Sequence, residues 1–416
     1  MMGSGTFSMA AGCIGGNGTG EEPAVYDGEW PYEDELILDV LADEPHGGGE
    51  AYAESMGKLH PSEADVAVAS LEGLEDAIDS SAEIIAIESD IEMGEAELDI
   101  GSKTIVGDRG WEGSDGPLLS TDQRGYTTNG IGGRPHSMFY SKSTSGEPRV
   151  TGLRLRGARW DEEFTRWDYD DNLSRGVTFT GNGGEVDNCE IFGFTWNGVH
   201  IRGNSASNRF THAAVHHCHL HKSYQIGYGY GVDVWRGVGD IHHNYFNEHR
   251  HSIDGFGFPE SGYVAEENIF GPDQYSHTVD MHCLTENNAS NIEDPDHPDF
   301  GLRAGGEMTI QHNTFCYENN LRGSVEQGPS IRGVPLEYVH IYENRFVHPR
   351  KPPYNSGNDR NYAWTQQNVH AIWRDIRLAD DGEYTEEWDH ADNQFNAPAV
   401  DHDGRGASVD LTVSVE

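Results

Sequence analysis

Lysine is almost missing. Only 5 of the 27 cationic residues are lysine (Lys58, Lys103, Lys142, Lys222 and Lys351), against 71 Asp+Glu, and the 416-residue chain carries a formal net charge of −44. A surface of that sign repels nucleic acid and anionic lipid, so neither is an expected partner. It also repels itself, a cost that molar salt relieves by shortening the screening length to roughly 3 Å. The balance is that of a halophilic protein. No run of about 18 apolar residues occurs, so no transmembrane helix is expected. None of the 5 cysteines lies in a C-x-x-C pair, which leaves zinc-ribbon chemistry unsupported.

Enough apolar material remains to fold: 35 % of the residues are hydrophobic, with 9 Trp, 18 Tyr and 15 Phe. Glycine is abundant, 52 of 416, which points to short strands and tight turns rather than long helices. At the N-terminus, Met9-Ala10-Ala11-Gly12-Cys13 is similar to the lipobox of a lipoprotein signal peptide, without the basic region that normally precedes one. Residues 1–13 are therefore read as the remnant of such a signal, with Cys13 as the lipidation site. The acidic, Gly-rich stretch 14–66 is read as a flexible tether.

From about residue 185 one phrase returns, apolar-x-x-Asn/Cys-x-apolar, with its fourth position at Cys189, Cys218, Asn244, Asn268, Asn313 and Asn344. Intervals of 29, 26, 24, 45 and 31 residues separate these positions. A period of that size is one solenoid coil. Short strands and frequent Asn/Gly turns argue for an all-β fold, a right-handed parallel β-helix (solenoid), over residues 67–352. Asn is expected at one corner, where it tolerates left-handed geometry and can bond the next Asn in a ladder. Cys189 and Cys218 fall in the same column, within reach of a disulfide or stacked as free thiols. Ser70 to Asp79 has helical spacing and is read as the N-terminal capping helix, and 353–416 as a C-terminal cap and acidic tail.

The stretch Ala96 to Gly110, with its Lys103-Thr104-Ile105-Val106-Gly107 turn after a capping helix and strand, resembles the opening coils of the pectate lyase (pectin lyase-like) superfamily. As far as about Pro349 the chain looks like the secreted β-helix repeat proteins of that superfamily. The resemblance implies the fold; it leaves the reaction open, because the fold hosts lyases, hydrolases, epimerases and inert spikes.

Twelve of the 22 histidines fall between His200 and His282. Aligning the strands Val199–Ile201, Val232–Val234, Ile253–Gly255 and Val279–Met281 puts His200, Asp233, Asp254 and Asp280 in one outward column, with about 4.8 Å between neighbours. Asn197, Tyr230, His251 and His277 stand three residues earlier in each coil; Arg202, Trp235, Phe256 and His282 stand two residues later. Stacked carboxylates raise one another's pKa unless a cation or a shared proton relieves them. Asp233, Asp254, Asp280 and His282 are therefore candidate ligands for a divalent metal, calcium or a transition metal, and mixed Asp/His donors suit the latter. A salt-adapted surface also places Asp outward, but it would not concentrate histidine. A second histidine group, His216-His217 over His242-His243 beside Glu266-Glu267, reads as a structural ladder at the turn corner, with His219 and His221 peripheral to it.

An elimination or hydrolysis on this face requires a base, an acid and a charge stabiliser. His251 and His277 are the candidate bases, Tyr275 and Tyr230 the candidate acids, and Arg250, Arg202 and Arg236 the candidate partners of a substrate carboxylate. Trp235, Phe256 and Phe258 offer faces on which sugar rings could stack. Known site phrases match only in part. Tyr275-Ser-His-Thr-Val-Asp280-Met-His282 keeps the Asp-x-His of mannuronan epimerases but not their tyrosine spacing, and the Trp-x-Asp-His of pectate lyases is absent from the coils. The insertion between Leu284 and Gly306, which carries an Asn288-Ala-Ser290 sequon, is expected to overhang the site. The segment Arg159 to Arg175, with Trp160 and Trp167, is expected to form a second wall.

These readings converge on an exported, cell-surface, lipid-anchored monomer acting on an extracellular uronic-acid polysaccharide. A lyase is favoured over a hydrolase or epimerase, no organic cofactor is expected, and the membrane is met only through the anchor. The alternative is a non-catalytic β-helix that binds carbohydrate or metal.

Overall fold

The computed structural model describes residues 46–56, 59–123, 136–160, 173–203, 211–223, 228–271, 273–274, 278–282 and 305–316, with shorter stretches at 319–320, 329–331, 338–342, 344–347, 388–389 and 394–395. Cys13, Tyr275, His277, Asn288, Trp167 and most of the 284–306 insertion lie outside the described residues.

Each turn of the chain visits three sheets in the same order. Gly183–Asp187 lies in the first, Glu190–Phe192 in the second and Asn197–Arg202 in the third; Thr211–His216, His219–Ser223 and Tyr230–Trp235 then repeat the circuit one layer on. Among the described residues the sheets hold eleven, twelve and eight strands, and the pairings between successive coils are parallel. This is a parallel β-helix. Its interior is built from columns of like residues. Val186, Val215, Ile241, Ala265 and Ile310 align in the first sheet, and Ile191, Leu220, Phe246, Phe270 and Phe315 in the second. The rings of Phe246, Phe270 and Phe315 stack with centroids 5.3 and 4.6 Å apart. No coil could bury such a face alone, so stacking is the source of stability.

The corner column is the polar counterpart. The Asn244 side-chain amide donates to Asn268 Oδ1 at 3.0 Å, Asn268 to Asn313 at 3.0 Å and Asn313 to Asn344 at 2.9 Å, all buried. Each amide also donates to a strand carbonyl, as Asn268 does to Ile241 O at 2.8 Å. The conformational reason expected for asparagine needs correction. The left-handed residue is the one before the column position: Asn188 (φ 51°) and His217 (51°) before the two cysteines, and His243 (54°), Glu267 (51°) and His312 (56°) before Asn244, Asn268 and Asn313. Asparagine is used for its amide, which satisfies corner groups that no strand neighbour reaches. Cys189 and Cys218, in the same column, are buried free thiols.

The capping helix α2 spans Leu71–Asp79, with the Ser70 side chain accepting from the Gly73 amide at 3.2 Å and Leu74 and Ala77 buried against the first coils. Before it, in the stretch read as a tether, helix α1 (Glu50–Met56) is held on the outside of the coils. Tyr52 donates to Asp187 Oδ2 at 2.9 Å, the Gly47 amide bonds His243 O at 3.0 Å, and His46 stacks on His243. Beyond residue 352, Trp388–Asp389 and Gln394–Phe395 add one more strand to each of two sheets.

Candidate metal centre

In the eight-stranded sheet the aligned column stands in register: His200 pairs with Asp233 and Asp233 with Asp254. Pairing of Ile253 with Val279 places Asp280 next. The column points away from the apolar interior, yet Asp233, Asp254 and Asp280 are buried, 0, 2 and 0 % exposed. Three carboxylates in so dry a place demand compensation.

Strict strand alternation would turn His251 inward, because it stands three residues before Asp254. A shared-acceptor kink prevents this. The amides of Arg250 and His251 both donate to Gly229 O, and those of Ser252 and Ile253 both donate to Thr278 O. One coil earlier, Gly229 and Tyr230 share Trp196 O in the same way. The kink brings His251 onto the outward face, stacked on Tyr230 at 5.6 Å. Kinks that re-aim a side chain in this way recur beside functional sites.

The result is a cluster of four donors, one atom each from His251, Asp254, Asp280 and His282, all within 4.8 Å of one another. His251 Nε2 lies 3.2 Å from Asp280 Oδ2, and His282 Nε2 lies 3.2 Å from Asp254 Oδ1 and 3.3 Å from Asp280 Oδ2. A tetrahedral ion with metal–ligand bonds of about 2.0–2.1 Å separates its ligands by about 3.3 Å. The donor set and its spacing fit a divalent ion, and two imidazoles favour a transition metal over calcium. Below the site, the buried Tyr263 hydroxyl donates to the Asp280 carbonyl at 3.2 Å, and Met281 fills the space that a side chain at Gly255 would take.

Asp233 sits apart from this cluster. The Asn197 side chain donates to its Oδ2 at 3.1 Å, and His200 Nε2 lies 3.7 Å from that oxygen. Burial, and then the neighbouring Asp254, push the Asp233 carboxyl well above the usual range. Burial together with Arg175 and Arg202 holds His200 well below its ordinary value, and so neutral. Arg175, buried with its guanidinium 3.9 Å from the Trp196 ring, is lowered to about 9 by desolvation, against the pull of Asp233. Arg175 was expected only as the end of a wall segment, not as a buried partner of Asp233: its strand, Ser174–Phe179, precedes the first repeat phrase and pairs with the column through Asn197 and His200.

Beside the buried column runs a more open one, with Arg202 exposed and Trp235, Phe256 and His282 half-buried. Trp235 and Phe256 lie 5.0 Å apart, and Phe256 stacks on His282 at 6.1 Å. The stripe therefore ends on one of the four donors. Arg236 lies 3.7 Å over Phe258 and 3.5 Å from Glu260. Arg250 donates to the Tyr230 hydroxyl at 2.9 Å, and burial raises that phenol.

The histidine corner is a ladder: His216 stacks on His242 at 4.7 Å and His217 on His243 at 4.8 Å, with Nδ1 atoms meeting at 2.9 and 3.0 Å within each coil. No protein-family model, curated protein or solved structure matches the chain.

Proposed function

We propose that the chain is a divalent-metal-dependent lyase of the pectate lyase superfamily type, exported and lipid-anchored, acting on an extracellular uronic-acid polysaccharide. The observation that carries the reading is the four-donor cluster at the end of an aromatic stripe. Sugar rings stack on Trp235 and Phe256, and Arg202, exposed above them, pairs with a uronate carboxylate. A divalent ion held by Asp254, Asp280, His251 and His282 would neutralise a second carboxylate and acidify the adjacent C–H. With His251 engaged as a ligand, proton abstraction falls to His277, one coil on in the sequence register. Tyr230, kept protonated by burial and oriented by Arg250, returns a proton to the leaving oxygen.

One observation favours the alternative, a non-catalytic metal- and carbohydrate-binding β-helix. Four protein donors at tetrahedral spacing leave no open position on a four-coordinate ion, whereas a six-coordinate ion keeps two. Ultraviolet absorbance of unsaturated product, followed over a panel of uronic-acid polymers in molar salt, separates the readings. The lyase forms absorbing product that chelation abolishes and Asp280→Asn slows by about 100-fold or more. Bound metal with no product on any polymer selects the binding reading; new reducing ends without absorbance select a hydrolase.

A further inference from the structure

The twelve-stranded sheet carries a second constellation, on a different side of the solenoid from the four-donor cluster. Glu190 and His219 are register partners on adjacent strands, and His221 follows on the same strand with its ring facing the same way. The two imidazoles stack with centroids 4.2 Å apart, and His221 Nε2 lies 3.0 Å from Glu190 Oε1. One donor atom from each of the three falls within 4.8 Å of the others.

The other carboxylate oxygen is already committed: Arg154 Nε donates to Glu190 Oε2 at 2.6 Å. That bond fixes the carboxyl plane and leaves Oε1 toward the imidazoles, the way outer partners orient the ligands of metal sites. Phe192 stacks flat on His221 at 4.9 Å and Tyr245 lies 5.1 Å from His219, so both rings are held before any ion arrives. Glu190 and His219 line a groove of about 420 Å³ together with Arg154, Gly49, Glu50 and residues of the Arg109–Asp115 turn. Two imidazoles and one carboxylate on one face, with the remaining directions open to a groove, form a three-ligand transition-metal site with exchangeable positions.

We infer that Glu190, His219 and His221 bind a second divalent transition-metal ion, whose open positions take water or an oxygen ligand from the groove. The inference stands independently of the reading given above for the eight-stranded sheet.

The test is a titration of the chelator-stripped full chain with Co²⁺ in molar salt, reading stoichiometry and visible absorption. His219→Ala/His221→Ala should bind one equivalent fewer than the unaltered chain, whatever the first cluster holds. Arg154→Ala should weaken that same equivalent by about 10- to 100-fold without abolishing it. His221→Ala alone, with circular dichroism confirming the fold, guards against a collapsed double variant. Unchanged stoichiometry in a folded His221→Ala or double variant would overturn the assignment. Affinity unaltered by Arg154→Ala would overturn the orienting role of that arginine.

Discussion

At the scale of single residues, the dominant physical fact is how many titratable groups have been taken out of water. Burial holds His249 at about 3 and His217 at about 2, and His200 is kept well below its ordinary value. Each is neutral in the folded chain and becomes protonated below about pH 6.5 once unfolded. A depressed folded pKa means stability that is fully present above the unfolded value and lost as pH falls toward the folded one. Each histidine then removes up to about 1.4 kcal/mol per pH unit below 6.5. Asp233 works the other way: its raised value favours the fold as pH falls. One group does not offset three. Chemical unfolding at a series of pH values should therefore show stability falling below pH 6.5, and His249→Phe should flatten the slope by about one proton. A profile flat from pH 7 to 5 would contradict the buried-neutral assignment.

The legibility of the site also belongs to this scale. The Asp233–Asp254–Asp280 column was readable because parallel register repeats every coil, so one alignment places every outward residue. What register alone did not show is which neighbours each carboxylate chooses. Asp254 and Asp280 turn to His251 and His282, while Asp233 turns to Asn197 and His200. That division depends on side-chain direction and on the buried Arg175, whose strand lies upstream of any recognisable repeat. Glu190 is not marked by any motif, and His219 and His221, expected at the periphery of the histidine ladder, stand instead in the twelve-stranded sheet beside Glu190. Spaced i, i+2 on one strand with a partner a whole coil away, they look like ordinary polar outward positions until the coils are stacked.

At the scale of elements, the repeat phrase was legible because each of its positions has a physical duty. The apolar positions fill the interior columns, and the fourth position closes the corner. The residue before it bears the positive φ, which the sequence alone had attributed to asparagine itself. Because the amide is what matters, Asn268→Ala should be costly. It removes donations to Ile241 O and Asn313 Oδ1 and the acceptor for the Asn244 amide, all buried. A loss of about 3 kcal/mol in denaturant unfolding is expected. A loss under about 0.5 kcal/mol would mean that the backbone turn, and not the ladder, holds the corner. Helix α1 was illegible: its Gly-rich surroundings read as tether, and only the docked coils supply Asp187 for its Tyr52 and His243 O for the Gly47 amide before it.

At the scale of the whole molecule, the −44 charge and the proposed metal centre belong to one account. Among the described residues most of the acid is exposed, tolerable where salt screens it. Asp233, Asp254 and Asp280 are instead buried in a column, where bulk salt screens weakly and neighbouring side chains or a bound cation must compensate them. The solenoid makes this possible: it stacks chosen residues at strand spacing and flanks them with an aromatic stripe. The most direct measurement is zinc content by elemental analysis after equilibration and exhaustive dialysis in molar potassium chloride. The account predicts that Asp254→Asn/Asp280→Asn retains one equivalent fewer than the unaltered chain, while Asp233→Asn retains the same amount. Equal zinc in the folded double variant and the unaltered chain would contradict it.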